Sequence, residues 1–247
     1  MEIIWQSTKN YFQILKTINS INLNTILYIS SFIKTSIAKK TKAVLLLSGG
    51  NSTKSTYNLL SKKKIKWENV ETFSIDERLV SKIDDNSNYK LISKNLKINY
   101  SKKVKINFLN KEFKKKLKLK KFINYIKYYK PISIIGMGDD GHFASIFFKS
   151  KQFKKLIDLN KAPDLILTEK LGKPKIKRIT FNISMLNISQ KIILILNSKK
   201  KILLFFKFLK NSKNQYRPIN FLINKLKNKL FISIDNKLFK LSDLNKN

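Results

Sequence analysis

The sequence contains no cysteine, which excludes disulfide bonds and thiolate metal sites. Cysteine usage therefore gives no indication of whether the protein lies in an oxidising or a reducing compartment. There is only one histidine, His142, so a metal site would have to rest on carboxylates. Long apolar runs are missing as well: segments 30–37 and 202–209 are interrupted by Ser, Thr or Lys, and no transmembrane helix is expected. The amino-terminal segment lacks a basic region followed by an apolar core, so no signal peptide is predicted. These absences favour a soluble cytoplasmic protein.

Arginine is scarce, although the chain carries a net charge of +37. The sequence has 49 lysines and 3 arginines, together with 35 isoleucines and 26 asparagines. Lysine, isoleucine and asparagine have AT-rich codons, so drift in base composition explains the charge better than a nucleic-acid surface, where arginine is preferred. A basic nucleic-acid-binding protein remains the non-enzyme alternative. The charge would also attract anionic substrates.

The three remaining arginines, Arg78, Arg178 and Arg217, stand out against this composition. Lysine is a poor replacement for a guanidinium that binds a phosphate or carboxylate with two donors at once. We therefore treat these arginines as candidate ligand-binding residues, with surface ion pairs as the alternative.

The apolar pattern predicts a single α/β domain over residues 1–247. Residues 1–38 are predicted to form two amphipathic helices with a break near 19–24. The segments that follow alternate between short apolar runs and helical periodicity, which is typical of a doubly wound, mostly parallel, Rossmann-like sheet. Strands are predicted at 43–47, 70–75, 131–135, 164–167, 178–183, 191–196 and 230–234. Helices are predicted at 53–60, 86–96, 111–129 and 200–210, and the Lys-rich segment 111–129 is interpreted as a surface helix rather than a nucleic-acid-binding one.

Three polar motifs follow predicted strands, at the edge of the sheet where α/β proteins bind ligands. The first, 48–53, is a Gly-Gly turn before a helix, which suits either a structural turn or a phosphate site. The second is Asp76-Glu77-Arg78, followed by Ser87 and Asn88 as helix-capping residues. The third is the Gly-rich segment 136–145, and we expect the three to converge on one pocket.

The third motif contains His142, which we expect in the first turn of a helix. A lone histidine is often structural, but this one follows a Gly-rich loop with two acids instead of lying in an apolar stripe. Imidazole titrates near neutral pH, so His142 is a candidate general base. A Ser-His-Asp triad with Ser48 or Ser145 is a weaker alternative, because the sequence has no G-x-S-x-G elbow.

In their order and spacing, these motifs resemble those of the glucosamine-6-phosphate isomerase/6-phosphogluconolactonase family. The lactonase pattern looks like SGGSTP, DER with a later SN, GMGxDGHxASLFP, a K/RP..RIT segment, and Gly-x-x-Lys after a strand. The segments of this chain that match it are 48–53, 76–78 with 87–88, 136–147, 173–174 with 178–180, and 197–201.

The resemblance implies a Rossmann-like fold, shared with ribose-5-phosphate isomerase and CoA transferases. It also implies hydrolysis of 6-phospho-D-glucono-1,5-lactone to 6-phosphogluconate, a step of the oxidative pentose phosphate pathway. His142 would be the base, Asp140 or Asp76 would orient it or its water, and backbone N–H groups of 136–141 would help to hold the oxyanion. The residues implied to bind substrate or phosphate are Ser48, Gly49, Gly50, Asn51, Arg78, Asn88, Gly138, Arg178 and Lys201, with Lys199 and Lys200 as neighbouring candidates. No cofactor, metal, nucleic acid or membrane partner is implied, and the protein is expected to be a monomer or small homo-oligomer.

The sequence departs from the lactonase pattern at four positions. Asn51, Thr53, Phe148 and Ser198 stand where Ser, Pro, Pro and Gly are usual, and none of these changes removes a titrating group. The rival enzyme is a glucosamine-6-phosphate deaminase, in which the histidine is followed by a segment like IAFNEP with a catalytic acid. This chain has no acid in 143–148, and Arg78 occupies a position where the deaminase tends to have Tyr. Both differences favour the lactonase.

Overall fold

The computed structural model describes residues 13–14, 21–210 and 217–234. Short connections join ten strands and eight helices in this part of the chain. The strands are β1 (Gln13–Ile14), β2 (Ala43–Leu47), β3 (Val70–Ser74), β4 (Asp76–Arg78), β5 (Lys105–Asn107), β6 (Ile132–Gly136), β7 (Leu165–Leu171), β8 (Ile176–Phe181), β9 (Lys191–Leu196) and β10 (Leu230–Ile234). The helices are α1 (Ile21–Lys40), α2 (Asn51–Ser61), α3 (Asn88–Leu96), α4 (Lys116–Tyr129), α5 (Phe153–Leu156), α6 (Ile183–Leu186), α7 (Lys199–Lys210) and α8 (Pro218–Leu226). No helix in the described ranges is long and apolar enough to cross a membrane.

Seven strands form a parallel sheet in the order β1-β10-β9-β6-β2-β3-β5. The chain first builds outward from β2 through β3 to β5, and then returns to place β6 on the other side of β2. The strand order therefore reverses between β2 and β6. In α/β sheets the loops that leave two such strands separate, and ligands bind in the crevice between them at the carboxyl edge of the sheet.

Helices cover both faces of this sheet, because its strands are apolar on both sides. Val44 and Leu46 share one core cluster with residues of α4, α7 and α8, whereas Leu45 and Leu47 share a second cluster with residues of α1, α2 and α3. Successive side chains of a strand point to opposite faces, so the continuous run of β2 serves both clusters. The structure is thus the predicted doubly wound α/β fold.

A second, antiparallel sheet has the order β4-β8-β7 and packs against one face of the first. Ile179 and Phe181 of β8 belong to the same core cluster as Leu46 and Ile135 of the parallel sheet. The backbone N–H of Phe181 also donates to the carbonyl oxygen of Ile75, between β3 and β4, at 3.0 Å. The chain therefore passes directly from one sheet to the other at residue 75.

The structure corrects several predicted elements. Residues 13–14 form a strand rather than part of a helix, and the rest of the first predicted helix lies largely outside the described residues. Residues 76–78 form their own strand in the second sheet instead of simply ending β3, and the segment 111–129 divides into a 3-10 helix and α4. Strand β5 and helix α8 were not predicted. Strand β5 contains only one apolar residue, Ile106, and α8 follows the polar segment 211–216.

We predict that Phe181→Ala destabilises the whole molecule and not the small sheet alone. Phe181 is fully buried in the cluster that both sheets share, and truncation of such a side chain costs about 3–5 kcal/mol. Urea unfolding followed by tryptophan fluorescence and circular dichroism should show one coincident transition at a lower midpoint. Leu117→Ala, on the exposed face of α4, is the control and should change the unfolding free energy by no more than about 0.5 kcal/mol. Two separate transitions would contradict a single cooperative domain.

Candidate active site

The turn after β2 forms one wall of the crevice. The chain passes from β2 into α2 through Ser48, Gly49 and Gly50, and Gly50 has a φ of +102° that L side chains rarely adopt. The hydroxyl of Tyr57 donates to the carbonyl oxygen of Ser48 at 2.6 Å and fixes the turn from behind. The Ser48 hydroxyl is buried and has no hydrogen-bond partner among the described residues. The turn thus places a free hydroxyl and a helix amino terminus at the switch point, where an anion would be stabilised.

Strand β4 places the acidic and basic residues of the second motif beside this turn. Asp76 is buried, and its Oδ2 accepts a hydrogen bond of 2.5 Å from the Ser145 hydroxyl. Glu77 is fully buried and is directed to the amino end of α3, where Oε1 accepts from the backbone N–H of Asn88 at 2.7 Å. Arg78 is partly exposed. The three neighbours therefore have three different environments.

Asn88, at the start of α3, connects this strand to the Gly-Gly turn. Its Nδ2 donates to the carbonyl oxygen of Asp76 at 2.7 Å, and its Oδ1 accepts from the Arg78 guanidinium. A Cβ placed on Gly49 would lie 1.8 Å from the same Oδ1, so only glycine fits there. Asn88 was predicted to bind substrate. In the structure, both the nitrogen and the oxygen of its side-chain amide are hydrogen-bonded to protein groups.

Arg78 and Arg178 lie directly opposite each other on the antiparallel strands β4 and β8. Like charges in this position repel each other, and the Nε atoms of both are buried without a hydrogen-bond partner among the described residues. Arg178 is held by the Pro174 carbonyl oxygen at 3.1 Å, and its guanidinium lies 5.3 Å from the centre of the Phe147 ring. Burial lowers the pKa of Arg178, the nearby Asp76 acts in the opposite direction, and Arg78 lowers it further. Such a pair favours binding of an anion.

The loop after β6 carries His142 and forms the other wall of the crevice. The Nδ1 atom of His142 lies 2.5 Å from Asp140 Oδ1, and the imidazole ring stacks on Phe147 with 4.3 Å between ring centres. Burial alone would raise the pKa of Asp140, but hydrogen bonds and charge from His142 outweigh it and lower this pKa to about 2. Asp140 is therefore ionised near neutral pH and accepts the proton carried by Nδ1. This leaves Nε2 as the unprotonated nitrogen of the neutral ring.

The same loop corrects the predicted placement of His142 and engages two of the N–H groups that were expected to help to hold an oxyanion. His142 lies in an irregular loop and not in the first turn of a helix, because the chain continues into the bridges between 137, 143 and 146. The backbone N–H groups of Gly138 and Gly141 donate within the loop, to the carbonyl oxygens of His142 and Gly138 at 2.8 and 3.0 Å. These two groups cannot serve an oxyanion without opening the loop. Gly138 instead gives the imidazole room, since a Cβ there would lie 2.1 Å from His142 Cε1.

Of the three adjacent lysines at the start of α7, Lys201 reaches the crevice. Its ammonium donates to the hydroxyl of Ser52 in the first turn of α2, and burial lowers its pKa, while Asp139 acts in the opposite direction. Lys200 is largely exposed and forms an ion pair of 2.5 Å with Asp139. Lys199 is exposed. Asn51, also predicted, lies at the same helix start, and its carbonyl oxygen accepts from Asn197 at 3.3 Å.

The geometry contradicts the triad alternative. The Ser145 hydroxyl is fully buried and donates to Asp76, while His142 bonds to Asp140 two residues before it in the chain. The hydroxyl of Ser48 is likewise not bonded to His142. No serine hydroxyl in the described residues is thus activated by the histidine as a nucleophile would be.

Sequence reasoning missed the parts played by Ser52, Ser145 and Phe147. Each contacts a predicted residue from within a predicted motif: Lys201, Asp76 and His142 respectively. Their position inside the motifs was a usable signal, but contacts between segments 69 and 149 residues apart require the fold.

Comparison with known proteins agrees with this arrangement. Residues 20–232 match the family described as glucosamine-6-phosphate isomerases/6-phosphogluconolactonase. A 6-phosphogluconolactonase of Neisseria meningitidis is 30% identical over 191 residues, which cover 75% of this chain and 82% of the relative. That of Thermotoga maritima is 28% identical over 173 residues, covering 67% and 74%.

A solved structure shows the same fold. The crystal structure of a 6-phosphogluconolactonase from Shewanella baltica superposes with a TM-score of 0.72 at 24% identity, covering 87% of this chain and 93% of that one. The family match spans both walls of the crevice, from the turn after β2 to the start of α7. The chain belongs to the glucosamine-6-phosphate isomerase/6-phosphogluconolactonase family.

Proposed function

We propose that this protein is a 6-phosphogluconolactonase, which hydrolyses 6-phospho-D-glucono-1,5-lactone to 6-phosphogluconate. The observation that carries the proposal is the contact between His142 and Asp140, which leaves a basic imidazole nitrogen at the switch point of the sheet. Cationic side chains surround the same crevice, as a phosphorylated substrate requires. The relatives that match over most of their length bear this name.

In the proposed reaction, Nε2 of His142 takes a proton from a water molecule while the water oxygen attacks the lactone carbonyl carbon. A tetrahedral intermediate forms, and its negative charge falls on the former carbonyl oxygen. The bond between that carbon and the ring oxygen then breaks, and the ring oxygen receives the proton from the imidazolium. This transfer returns the histidine to its starting state, and the carboxylic acid that results loses a proton to solvent at neutral pH.

Asp140 and Asp76 act differently in this proposal. Asp140 holds Nδ1, which fixes the tautomer and stabilises the imidazolium that forms during the reaction. Asp76 is held by Ser145 and Asn88 and orients the attacking water. Gly138 and Gly141 use their N–H groups within the loop, so the oxyanion is proposed to be held by the other backbone N–H groups of 136–141.

The phosphate is proposed to bind the cations of the crevice, Arg78, Arg178 and Lys201, together with the turn formed by Ser48, Gly49, Gly50 and Asn51. The amino end of α2 and the Lys201 ammonium meet at Ser52, which provides a charge and free N–H donors in one place. We propose no cofactor or metal, a cytoplasmic enzyme of one domain, and a monomer or small homo-oligomer without a specific nucleic-acid or membrane partner.

The deaminase of the same family is the alternative enzyme. Its catalytic acid has no counterpart in residues 143–148, where Phe143, Ile146 and Phe147 are buried apolar side chains. Arg78, which the lactonase pattern contains, faces Arg178 across the small sheet. Both features favour the lactonase.

We predict that the purified protein accelerates loss of freshly prepared 6-phosphogluconolactone far above the spontaneous rate, with or without a chelator. Formation of 6-phosphogluconate is followed with its dehydrogenase. The same preparation should release no ammonia from glucosamine 6-phosphate. A rate equal to the buffer blank from folded protein would reject the lactonase. Ammonia release would identify the deaminase, and salt-dependent retention on DNA without either activity would favour the nucleic-acid alternative.

We predict that His142→Asn lowers kcat by roughly 10²–10⁴-fold, the usual contribution of a general base. KM should change little, because the proton transfer is felt in the transition state and not in substrate binding. Asparagine keeps approximate size and hydrogen bonding, so a purely structural histidine would leave most activity intact. Steady-state kinetics are measured on protein whose fold is verified by circular dichroism. A folded variant that retains more than about a third of wild-type kcat would exclude His142 as the base.

We predict that Lys201→Ala raises KM about 10- to 150-fold with a smaller effect on kcat, because one charge-assisted contact to phosphate contributes about 1.5–3 kcal/mol. Lys200→Ala is the matched control, since the neighbouring ammonium is paired with Asp139 at the surface. Its KM should stay within about twofold of wild type, as expected for an exposed ion pair. Equal effects of the two substitutions would place the phosphate elsewhere.

A further inference from the structure

Glu77 has no part in the proposed chemistry, although it is a fully buried carboxylate between two residues that do. Burial raises its pKa to about 7, while backbone N–H groups of Asn88, Tyr89 and Arg78 act in the opposite direction. An ionisable group with no access to solvent destabilises the folded protein unless its partners compensate. The contacts of Glu77 therefore have to account for the burial of its carboxylate.

The carboxylate of Glu77 has four hydrogen-bond donors, and all belong to the segment that carries Arg78 and Asn88. Oε1 accepts from the backbone N–H groups of Arg78 at 2.8 Å and Asn88 at 2.7 Å. Oε2 accepts from the N–H of Tyr89 at 2.7 Å and from the hydroxyl of Ser87 at 3.3 Å. The side chain thus fastens strand β4 to the first turn of α3 through both oxygens.

Helix capping alone does not account for this arrangement. Ser87 is the N-cap residue of α3, and its side-chain oxygen accepts from the Lys90 N–H as a serine cap normally does. The helix therefore begins with an ordinary cap. What the carboxylate adds is a fixed position of the Asn88 backbone relative to Arg78.

The position of the Asn88 backbone matters because the Asn88 side chain binds the guanidinium of Arg78. Its Oδ1 accepts from the Arg78 guanidinium, and the carbonyl oxygen of Asn86, two residues before it, accepts from the same guanidinium nitrogen at 3.0 Å. Arg78 faces the like charge of Arg178, so without these acceptors its guanidinium would turn away toward solvent.

We propose that Glu77 is a positioning residue, which acts through the amino end of α3 and Asn88 to hold the Arg78 guanidinium against Arg178 as an anion-binding pair. The inference rests on the proposed function for the identity of the anion, a sugar phosphate. It predicts that neutralising Glu77 weakens anion binding only as long as Arg78 is present.

The test is a double-mutant cycle of Glu77→Gln and Arg78→Ala, run at about pH 8, above the pKa of Glu77. Glu77→Gln keeps the size of the side chain but replaces one acceptor oxygen by an NH₂ group that faces N–H donors. We expect KM for phosphogluconolactone, and Kd for inorganic phosphate by calorimetry, to rise about 10-fold or more, the effect of losing one charge-assisted contact to the anion. In the Arg78→Ala background, Glu77→Gln should change both constants by less than about twofold.

Glu71→Gln is the matched control. Glu71 is a second buried glutamate, at the amino end of β3 and so at the opposite edge of the sheet, where it pairs with Lys42 and Lys105 at 3.0 and 3.3 Å. Its neutralisation should lower the melting temperature and leave KM and phosphate affinity unchanged.

Equal fold-changes for Glu77→Gln with and without Arg78 would overturn the inference, as would a KM like that of wild type. If Glu77→Gln does not fold, Glu77→Asp in the same cycle decides, because it keeps the charge and withdraws the carboxylate from the N–H donors. If the wild-type protein hydrolyses no lactone, the proposed function fails. The phosphate affinities then decide the inference separately, and unchanged affinity overturns it.

Discussion

The contact between Asn88 and Gly49 connects the turn after β2 to strand β4. A Cβ on Gly49 would overlap the Asn88 side-chain oxygen, so the turn after β2 can lie this close to α3 only because it contains glycine. The same amide binds the carbonyl oxygen of Asp76 and the guanidinium of Arg78. One buried side chain thus sets the spacing between the Gly-Gly turn, the proposed water-orienting acid and one of the proposed anion-binding arginines. If that spacing were lost, each group would keep its chemistry but no longer act on one substrate.

The sequence predicted the parallel sheet well, because its strands are buried on both faces and appear as continuous apolar runs. Strands β2, β6, β9 and β10 were predicted within about one residue, and the convergence of the three motifs followed from their places at strand ends. The antiparallel sheet was not anticipated as a separate layer. Strand β4 has only three residues, two acids and a base, and its pairing with β8 joins segments about 100 residues apart, which no local pattern encodes.

The roles of the predicted site residues stay predictions, and the sequence did not predict the contacts between them. The motifs contained His142, Asp140, Asp76 and Arg78, and the structure brings the last two together through Asn88. The family resemblance implied that backbone N–H groups of 136–141 help to hold an oxyanion. The loop closes on itself through Gly138 and Gly141, and this depends on backbone angles that residue types do not reveal. The choice of Lys201 among three lysines likewise required the direction of α7.

The opposed arginines of the small sheet also affect the stability of the fold. Two guanidinium groups on directly paired residues repel each other, with Asp76 as the nearby compensating charge. In the proposed site, an anion bound between them would remove this repulsion, so part of the attraction for the ligand would be relief of an unfavourable interaction within the folded chain. By mass action, the same ligand stabilises the fold, and it does so at the junction of the two sheets. The proposed binding site is in this sense a weak point of the fold, which a bound anion would strengthen.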